Sequence, residues 1–457
     1  MQKEPEDMRH YQSSLAYLFG LQRFGIKLGL ANITALLRHL GNPHAGLRAV
    51  HIAGSNGKGS TAAFLTSILR QAGYRVGLYT SPHLIDFAER IQVNGVPISE
   101  DRVVRLTDRI REVVGDMDKS GELWPDSSIS SLPADFDPKK ATLTFFEFTT
   151  AMAFVHFREE RVDLAVLETG MGGRLDATNV IDPLLALISP ISLEHQQYLG
   201  KTLLQVAGEK AGIIKPGRPL FTTARQPRVV ALLQEKCREV QAPFYAHGRD
   251  FRGRKTGPRL MNFRGRHHRW KGFRLGLAGS HQVLNASLSL AAAEMLLEMG
   301  FLLKEEHLRN GLAETKWPGR LERVGGSPPI LLDGAHNPGG TRVLKQALEE
   351  EFPRRRLILV LGIMADKEIP KMMPNLVPLA DLLILTRPHM ERAASLELLR
   401  KHVSPWEKPT LEIADVGGAV EKAMGEAGRE DLVVVTGSLY TVGEARAYLI
   451  RKGLIEN

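Results

Sequence analysis

The chain of 457 residues contains a single cysteine, Cys237, and this scarcity excludes both an internal disulfide framework and a thiolate zinc cluster. The sequence also has no continuous apolar run of membrane-spanning length. Its charged first residues, 1–8, lack the apolar core of an export signal. These absences predict a soluble cytoplasmic protein without a membrane partner.

Acidic residues are fewer than basic ones, 51 against 60, which gives a net charge of +9. The imbalance is local, because the segment from Arg249 to Arg274 holds ten basic residues and one acidic residue. Its interleaved polar and aromatic residues are typical of solvated β-hairpins, with attraction of a polyanionic substrate or stacking on nucleic-acid bases as alternatives. No helix-turn-helix or RNA-binding signature accompanies the segment, so we expect no nucleic-acid partner.

Short apolar strands alternate with helical stretches along the chain, which predicts an α/β fold with a mostly parallel sheet. Strands are expected at 75–80, 162–168 and 184–189, after an apolar run at 50–53. The Ser-, Pro- and Asp-rich stretch 115–142 is interpreted as a long excursion from this sheet.

A second series of strands is expected at 330–333, 357–362, 381–386 and 432–437. Because 457 residues exceed what one hydrophobic core usually organises, this series predicts a separate, smaller α/β domain. Proline and glycine interrupt the helical pattern at 316–320. The expected domains are therefore 1–316 and 317–457.

A glycine-rich turn, Gly54-Ser55-Asn56-Gly57-Lys58-Gly59-Ser60, lies between an apolar strand and a helix-like stretch. Such a turn directs successive backbone N–H groups at one anion, while the lysine neutralises terminal phosphates and the hydroxyl can ligate magnesium. Only two residues separate Gly54 from Gly57, which is fewer than in the standard P-loop. The turn predicts a short variant of the ATP-binding cradle, and a strand-to-helix turn that binds nothing is the alternative.

Polar residues follow the next two expected strands at their carboxyl ends, where ligands bind in open α/β sheets. Glu168 ends one strand, and His195 follows the next one. Together with Ser60 they are candidates to share a magnesium ion. Taken alone, His195 would more often be a capping or packing residue.

The whole chain resembles the folylpolyglutamate synthases, often also dihydrofolate synthases, of the Mur ligase superfamily. The resemblance rests on the short cradle and on further motifs in the family's order, which lie at 25–33, 40–43, 79–84, 89–91, 143–147, 167–179, 208–215, 281–286, 318–322 and 333–338. It implies a P-loop-type ATPase domain like the Mur ligase central domain, followed by a smaller Rossmann-like ligase domain. It also implies an ATP-dependent ligase that joins L-glutamate to dihydropteroate, to the terminal glutamate of a folate, or to both.

The resemblance assigns roles to residues at the matching positions. The implied catalytic residues are Lys58, Lys210, His195 and Glu168, and Lys210 would be carbamylated. The implied metal ligands are Ser60, Ser81, Glu168, His195 and the carbamate on Lys210. ATP would contact Gly54, Asn56, Gly57, Lys58, Gly59, Ser60, Asn285, Arg320 and Asp333. The implied cofactors are ATP, Mg²⁺ at two sites and K⁺. From the residues alone, Lys210 would be an ordinary helix lysine that pairs with Glu209 or solvent.

The implied folate contacts are Lys27, Leu28, Gly29, Leu30, Ser81, Pro82, His83, Phe145, Phe146, Glu147, Arg174, Leu175 and Asp176. The incoming glutamate would bind the C-terminal domain at His336 and Lys367. The family is mostly monomeric, and a monomer with small-molecule partners is expected here. A Mur-type ligase acting on a cell-wall precursor is the alternative function, since it would share the ATP and metal residues.

Overall fold

The computed structural model describes residues 6–25, 27, 29–121 and 143–455. Leu28 and residues 122–142 of the expected excursion therefore lie outside the described residues. The strands are β1 Ala49–Ala53, β2 Val76–Tyr79, β3 Ile91–Val93, β4 Val96–Pro97, β5 Leu164–Glu168, β6 Leu185–Ile188, β7 Leu220–Thr222, β8 Phe244–Ala246, β9 Arg252–Gly257, β10 Leu260–Arg264, β11 Arg269–Arg274, β12 Glu322–Val324, β13 Ile330–Leu332, β14 Leu357–Leu361, β15 Leu382–Leu385, β16 Thr410–Glu412 and β17 Leu432–Thr436.

The helices alternate with these strands. They are α1 Glu6–Gly20, α2 Ala31–His39, α3 Lys58–Gln71, α4 Glu100–Lys119, α5 Phe145–Glu159, α6 Gln196–Leu199, α7 Leu203–Ala211, α8 Pro227–Glu239, α9 Gln282–Glu298, α10 Glu305–Glu314, α11 Pro338–Glu351, α12 Ile369–Leu376, α13 Leu396–Val403, α14 Val416–Glu426 and α15 Leu439–Arg451.

The largest sheet has the strand order β4-β3-β2-β5-β1-β6-β7-β8. The six strands from β2 to β8 are parallel, and β3 and β4 add an antiparallel edge. Strand β1 is central, with Ile52 beside Glu168 of β5 and Ala53 beside Ile188 of β6. The predicted α/β class with a mostly parallel sheet is confirmed, and the carboxyl ends of β1, β5 and β6 meet at one edge.

A second sheet has the order β12-β13-β17-β14-β15-β16 and is parallel except for β12. It contains the four strands expected in the second half of the chain. Their burial is complete or nearly so along β13, β14, β15 and β17, as expected for strands covered by helices on both faces.

Strands β9, β10 and β11 form a separate antiparallel sheet that packs on α9. Helix α9 is apolar on all sides and buried along most of its length, because α3, the large sheet and the small sheet surround it. The small sheet turns Phe263, Trp270 and Phe273 inward, into the same core as Phe251. These four rings are therefore not presented for base stacking.

One sequence expectation was wrong in part. Residues 115–119 do not leave the sheet as an excursion but complete α4, which buries Ile110, Val114 and Met117 on one face. The helix-compatible apolar spacing continues through this stretch and outweighs its polar composition. Within the described parts of the chain, no helix combines the length and apolar character needed to cross a membrane.

The fold also makes a prediction about acid stability through His51, which lies fully buried in β1 with Nε2 2.8 Å from the Thr178 hydroxyl. Burial lowers the pKa of His51 to about 3 from its ordinary 6.5, and the charge of Lys215 adds to the effect. Between these values the unfolded chain binds a proton that the folded chain does not, so stability present above pH 6.5 is lost as the pH falls.

Acidification from pH 7 to pH 5 should lower the free energy of unfolding of the parent. We expect this loss to be about 2 kcal/mol smaller in His51→Gln. Urea unfolding at the two pH values measures this difference. An unchanged pH dependence in His51→Gln would contradict the assignment.

Candidate active site

A cleft of about 460 Å³ lies where the carboxyl edge of the large sheet faces the start of α11 and the end of β13. Thirteen of the residues singled out in the sequence line this one cleft. They are Asn56, Gly57, Lys58, Gly59, Ser60, Ser81, Pro82, Glu168, His195, Asn285, Arg320, Asp333 and His336. Residues from both halves of the sequence therefore meet in a single site.

The glycine-rich turn connects β1 to α3 and needs its glycines for steric reasons. Gly54 has φ +147°, and a Cβ atom there would lie 1.8 Å from the Ser189 hydroxyl oxygen. Gly57 has φ +90°, and a Cβ atom there would lie 2.3 Å from the Asn285 side-chain oxygen. Gly57 is also the N-cap of α3, so the helix begins at the cleft and directs its free N–H groups into it.

Lys58 and Glu168 face each other across the floor of the cleft. The Lys58 ammonium donates to the Gly54 carbonyl oxygen at 3.0 Å and lies 3.8 Å from the Glu168 carboxylate. Burial raises the pKa of Glu168, while the charges of Lys58 and Arg320 oppose the rise. The pair is held loosely enough for a phosphate group to compete for the lysine.

Lys210 is among the most deeply buried side chains, with 1% of its surface exposed. Its ammonium donates to the Gly54 carbonyl at 2.8 Å and to the Glu194 carboxylate at 2.6 Å. The ordinary pairing with Glu209 is thus wrong, since Glu209 binds Arg174 instead. Burial lowers the pKa of Lys210, which favours its neutral amine, and Glu194 opposes the shift.

Glu194 was not singled out in the sequence, although it directly precedes His195. Burial alone would raise the pKa of Glu194, but the charges of Lys210 and Lys58 outweigh burial and bring the pKa to about 2. His195 follows in the left-handed backbone conformation, with φ +44°, at the N-cap of α6. The turn holds Glu194 beneath the phosphate loop while His195 lines the cleft.

The nucleotide candidates from the second half of the chain are fixed by hydrogen bonds. The Asn285 amide donates to Gln282 at 2.8 Å, and Gln282 in turn donates to the Ser60 hydroxyl at 3.3 Å. Asp333 accepts the backbone N–H groups of Leu321 and Ala335, each at 3.0 Å. Asp333 therefore shapes the turn that carries Arg320 into the cleft, in addition to lining it.

The donor set in the cleft fits magnesium. Ser60, Ser81 and Glu168 supply oxygen atoms and His195 an imidazole nitrogen, and Mg²⁺ usually completes such a partial set with phosphate oxygens and water. Among the described residues, no group of three or more His, Cys, Asp or Glu side chains could hold an ion unaided. The site thus suits a metal that arrives with a nucleotide.

On the side of β2, four rings form a cluster beside the Ser81-Pro82-His83 turn. Phe145 stacks on Phe19 with ring centroids 5.9 Å apart, both rings lie near Phe87, and Phe19 also lies near His83. Phe19 in α1 is 38% exposed and was missed in the sequence, because no motif marks it. These rings form an apolar wall with a solvent-facing edge.

Arg90 supports this wall from behind. Its guanidinium lies 5.0 Å from the Phe145 ring centroid, and its Nε donates to His83 Nδ1 at 2.7 Å. Burial lowers the pKa of His83 to about 3, and the Arg90 charge adds to it. His83 is therefore neutral and accepts a hydrogen bond. Arg90 lies in the motif at 89–91, but it was not assigned a role.

Three of the polar folate candidates are engaged locally. Glu147 accepts from the backbone and hydroxyl of Thr144, both at 2.8 Å, and so caps its own helix, α5. Asp176 accepts the Met171 N–H at 2.9 Å and caps the short turn that follows it. Arg174 is exposed and binds Glu209 at 3.0 Å. Lys27, Gly29, Leu30, Phe146 and Leu175 are partly buried.

On the C-terminal side, His336 lines the cleft and its Nδ1 lies 2.7 Å from the Gly334 carbonyl oxygen. Burial lowers the pKa of His336 to about 4, so the ring is neutral near pH 7. The Lys367 ammonium lies 3.0 Å from Asp366 and close enough to act electrostatically on His336. His336 thus presents a neutral ring to the cleft, whereas Lys367 is not among the residues that line it.

A hydrogen-bond chain joins the phosphate loop to α11. Asn337 caps α11 through the Gly340 N–H at 2.7 Å and donates to the Asn56 side-chain oxygen at 3.1 Å. The Ser55 hydroxyl binds both backbone groups of Ser192, at 2.9 and 3.0 Å. The position of α11 is therefore coupled to the loop.

Comparisons with known proteins agree with this geometry. Residues 126–293 match the Mur ligase middle domain, and residues 319–439 match the Mur ligase glutamate ligase domain. The fold and the cleft thus define an ATP-dependent ligase of the Mur type.

Individual relatives show which family of Mur-type ligases this chain belongs to. The dihydrofolate synthase/folylpolyglutamate synthase of Bacillus subtilis is 35% identical over 452 residues, covering 96% of this chain and 99% of the relative. The enzyme of that name from Mycobacterium tuberculosis is 34% identical, covering 91% and 89%. This chain belongs to the dihydrofolate synthase/folylpolyglutamate synthase family. The cell-wall alternative is not favoured.

Solved structures are similar over nearly the whole chain. Mycobacterium tuberculosis folylpolyglutamate synthase complexed with ADP and AMPPCP superposes with a TM-score of 0.85 at 32% identity, covering 96% of this chain and 98% of that one. Escherichia coli FolC in complex with DHPP and ADP gives 0.85 at 29% identity, covering 98% and 100%.

Proposed function

We propose that this chain adds L-glutamate both to dihydropteroate and to the terminal glutamate of tetrahydrofolate, as a bifunctional dihydrofolate synthase and folylpolyglutamate synthase. The observation that carries the proposal is the single cleft in which Lys58 of the phosphate loop, Glu168 and the C-terminal residues Arg320 and His336 converge. Such a cleft can hold a nucleotide, an acceptor carboxylate and an amine together.

The chemistry must overcome the low reactivity of a carboxylate towards amines. The acceptor carboxylate attacks the γ-phosphorus of ATP, its bond to the β-bridging oxygen breaks, and an acyl phosphate and ADP result. The α-amine of glutamate then attacks the acyl carbon, loses a proton and expels inorganic phosphate to give the amide. Lys58 and Arg320 stabilise the charge on the transferred phosphoryl group, and the rigid loop positions it.

ATP and Mg²⁺ are the cofactors we propose, with Ser60, Ser81, Glu168 and His195 holding the metal and K⁺ as a further cation. When bound, the metal neutralises phosphate charge and aligns the γ-phosphoryl group. Asn56, Asn285 and Asp333 would contact the nucleotide around the glycines of the loop.

Lys210 is proposed to carry a carbamate that serves a second magnesium ion. The pKa of Lys210, lowered by burial, supports this, because the neutral amine is the form that reacts with carbon dioxide. Its present partner Glu194 lies 2.6 Å away, so a carbamate there would need a cation between the two anions.

The pterin-bearing acceptor is proposed to lie along the aromatic wall, with Phe145, Phe146 and the Ser81-Pro82-His83 turn as direct contacts. Lys27, Gly29, Leu30, Arg174 and Leu175 would complete the pocket, and the capping carboxylates Glu147 and Asp176 would keep its walls in place. Glutamate would bind at His336 and Lys367. This assigns residues 1–316 to ATP and folate and residues 317–457 to glutamate, with Arg320 and Asp333 reaching the nucleotide from the second domain.

The partners that we propose are these small molecules alone, with no nucleic acid or membrane. We further propose that the protein acts as a monomer in the cytoplasm.

The aromatic wall gives a prediction that separates acceptor binding from nucleotide binding. Phe19→Ala removes the exposed ring that stacks on Phe145, and we expect the KM for either acceptor to rise about tenfold while the KM for ATP is unchanged. Steady-state kinetics with each substrate varied in turn measures both constants. Leu302→Ala truncates a residue that is 80% exposed and should change neither, and an equal rise in the KM for ATP would contradict the placement.

The proposed function is tested by phosphate release from ATP with glutamate and magnesium, in the presence of dihydropteroate, tetrahydrofolate or no acceptor. We expect acceptor-dependent release with both acceptors, and mass spectrometry should find both heavier by glutamyl units. Addition of glutamate to only one acceptor would limit the proposal to the synthase activity for that acceptor. Addition to neither acceptor would refute the proposal.

A further inference from the structure

The outer face of the small sheet carries a hollow of about 350 Å³ that is distinct from the catalytic cleft. Its polar lining is almost entirely cationic, and all of the cations are exposed. They are Arg252, Arg254, Arg264, Arg269 and Lys271. We call these residues the basic hollow.

Three of these arginines stand side by side across the sheet. Arg264 of β10 is the register partner of Arg252 on β9 and of Arg269 on β11. Neighbouring strands are about 4.8 Å apart, and like charges directly opposite one another destabilise a sheet. This row of guanidinium groups is unfavourable for the sheet unless an anion lies among them.

The described residues offer the basic hollow no carboxylate within ion-pair distance. Some other cations in the same stretch are paired, since Lys255 lies 2.7 Å from Glu351 and Arg266 lies 2.9 Å from Glu298. Carboxylates of the described residues are thus within reach of parts of this stretch, but not of the five cations in the hollow. The five cations can therefore pair with an anionic ligand from solution.

A β-bulge gives this face its curvature. The register shifts between Met261 and Phe263, opposite Lys271 and Gly272 of β11. Gly272 has φ +69°, and its N–H donates to the Asn262 side-chain oxygen at 2.9 Å. Bulges increase the local twist of a strand pair, so the cations line a concave surface. The Asn262 amide lies in the same hollow as a neutral polar group.

The rings of this sheet help to identify the ligand class. Phe263 and Trp270 also border the hollow, but they are only 2% and 7% exposed and pack into the core, so they offer a nucleic-acid base little ring face on which to stack. Guanidinium groups bind phosphates in bidentate geometry, and a hollow of this size suits a small ligand. We propose that the basic hollow binds a small linear oligophosphate anion, with several phosphate groups in series.

The test uses isothermal titration with inorganic tripolyphosphate. Because the catalytic cleft also attracts phosphate groups, the titrations are done in Lys58→Ala protein. Adding Arg252→Gln, Arg264→Gln and Arg269→Gln together should weaken binding roughly tenfold or more, because charge-assisted bonds are lost. The salt dependence of log K should also become shallower, because salt screens the attraction between exposed charges and three of the cations have been removed.

A matched control removes the same charge elsewhere, through Arg228→Gln, Arg323→Gln and Arg429→Gln, which are exposed arginines outside the hollow. Binding should then stay within twofold. An equal loss in both triple variants, or no binding by the Lys58→Ala protein, would overturn the proposal. Binding of a single-stranded oligoribonucleotide but not of tripolyphosphate would also overturn it, in favour of nucleic acid.

Thermal unfolding controls for folding. Because like charges are removed from the outer face, the midpoint of the triple hollow variant should equal or exceed that of the Lys58→Ala protein. Should it fall, Arg264→Gln alone, at the centre of the row, should still weaken binding without lowering the midpoint, and unchanged binding in that variant would refute the site.

Discussion

Lys58→Ala is expected to reduce acceptor-dependent phosphate release roughly a thousandfold, because the group that neutralises the transferred phosphoryl group is lost. The Lys58 side chain is 14% exposed, and among the described residues the polar partners of its ammonium are the Gly54 carbonyl and Glu168. Its removal should therefore leave the fold intact. Rapid-quench measurement of acyl-phosphate formation would place the defect in the phosphoryl-transfer step.

The control for this variant is Lys304→Ala, which removes a lysine that is 75% exposed and lies outside the cleft. It should retain the parent's rate. A Lys58→Ala protein with more than a tenth of the parent's activity would contradict the role given to the phosphate loop.

Lys210→Ala is expected to abolish turnover as completely as Lys58→Ala does, for a reason that depends on burial. The side chain is 1% exposed, and its removal would leave Glu194 without its partner beneath the Gly54 carbonyl. Removing one member of a buried pair typically costs 3–5 kcal/mol, so we also expect the unfolding free energy to fall by about 3 kcal/mol. Turnover and urea unfolding are measured on the same preparation.

A second variant separates catalysis from stability. Lys210→Met combined with Glu194→Gln removes both charges, and we expect it to recover most of the lost stability without recovering turnover. Recovery of turnover would mean that the lysine acts only on folding.

Chemical rescue distinguishes the two possible forms of this lysine. Acetate or propionate should partly restore turnover to Lys210→Ala if a carbamate carboxylate is required, whereas methylammonium should restore it if the free ammonium is required. Rescue by methylammonium alone would refute the carbamate.

The phosphate loop and the strands that lead to the cleft are the parts of the site that the sequence predicts best. The glycine-rich turn could be interpreted from residue types alone, because only a few backbone conformations allow a loop to surround a phosphate. The strands that lead to Glu168 and His195 were equally predictable, since continuous apolar runs mark buried parallel strands. Local chemistry determined these features, and distant contacts did not alter them.

Contacts between separate elements were harder to predict. Glu147 and Asp176 stay predicted folate contacts, and in the structure both carboxylates make the local interaction of capping their own turns. For Lys210 the residues alone suggested Glu209 or solvent as a partner, but its ammonium reaches Glu194 and Gly54, which are distant in the sequence. Which donor reaches a buried charge depends on the packing of separate elements. A short stretch of sequence does not show which distant elements will pack together.

Sequence by itself determined the α/β class, the phosphate loop and, through ordered motifs, the family of this protein. These depend on local propensity, glycine sterics and the period of apolar residues. Tertiary structure alone decided that Phe19 joins the aromatic wall, that Asn337 reaches Asn56, and that three arginines meet in one row. Each of these contacts joins residues brought together only by the crossing of helices or the pairing of strands, where packing sets the geometry.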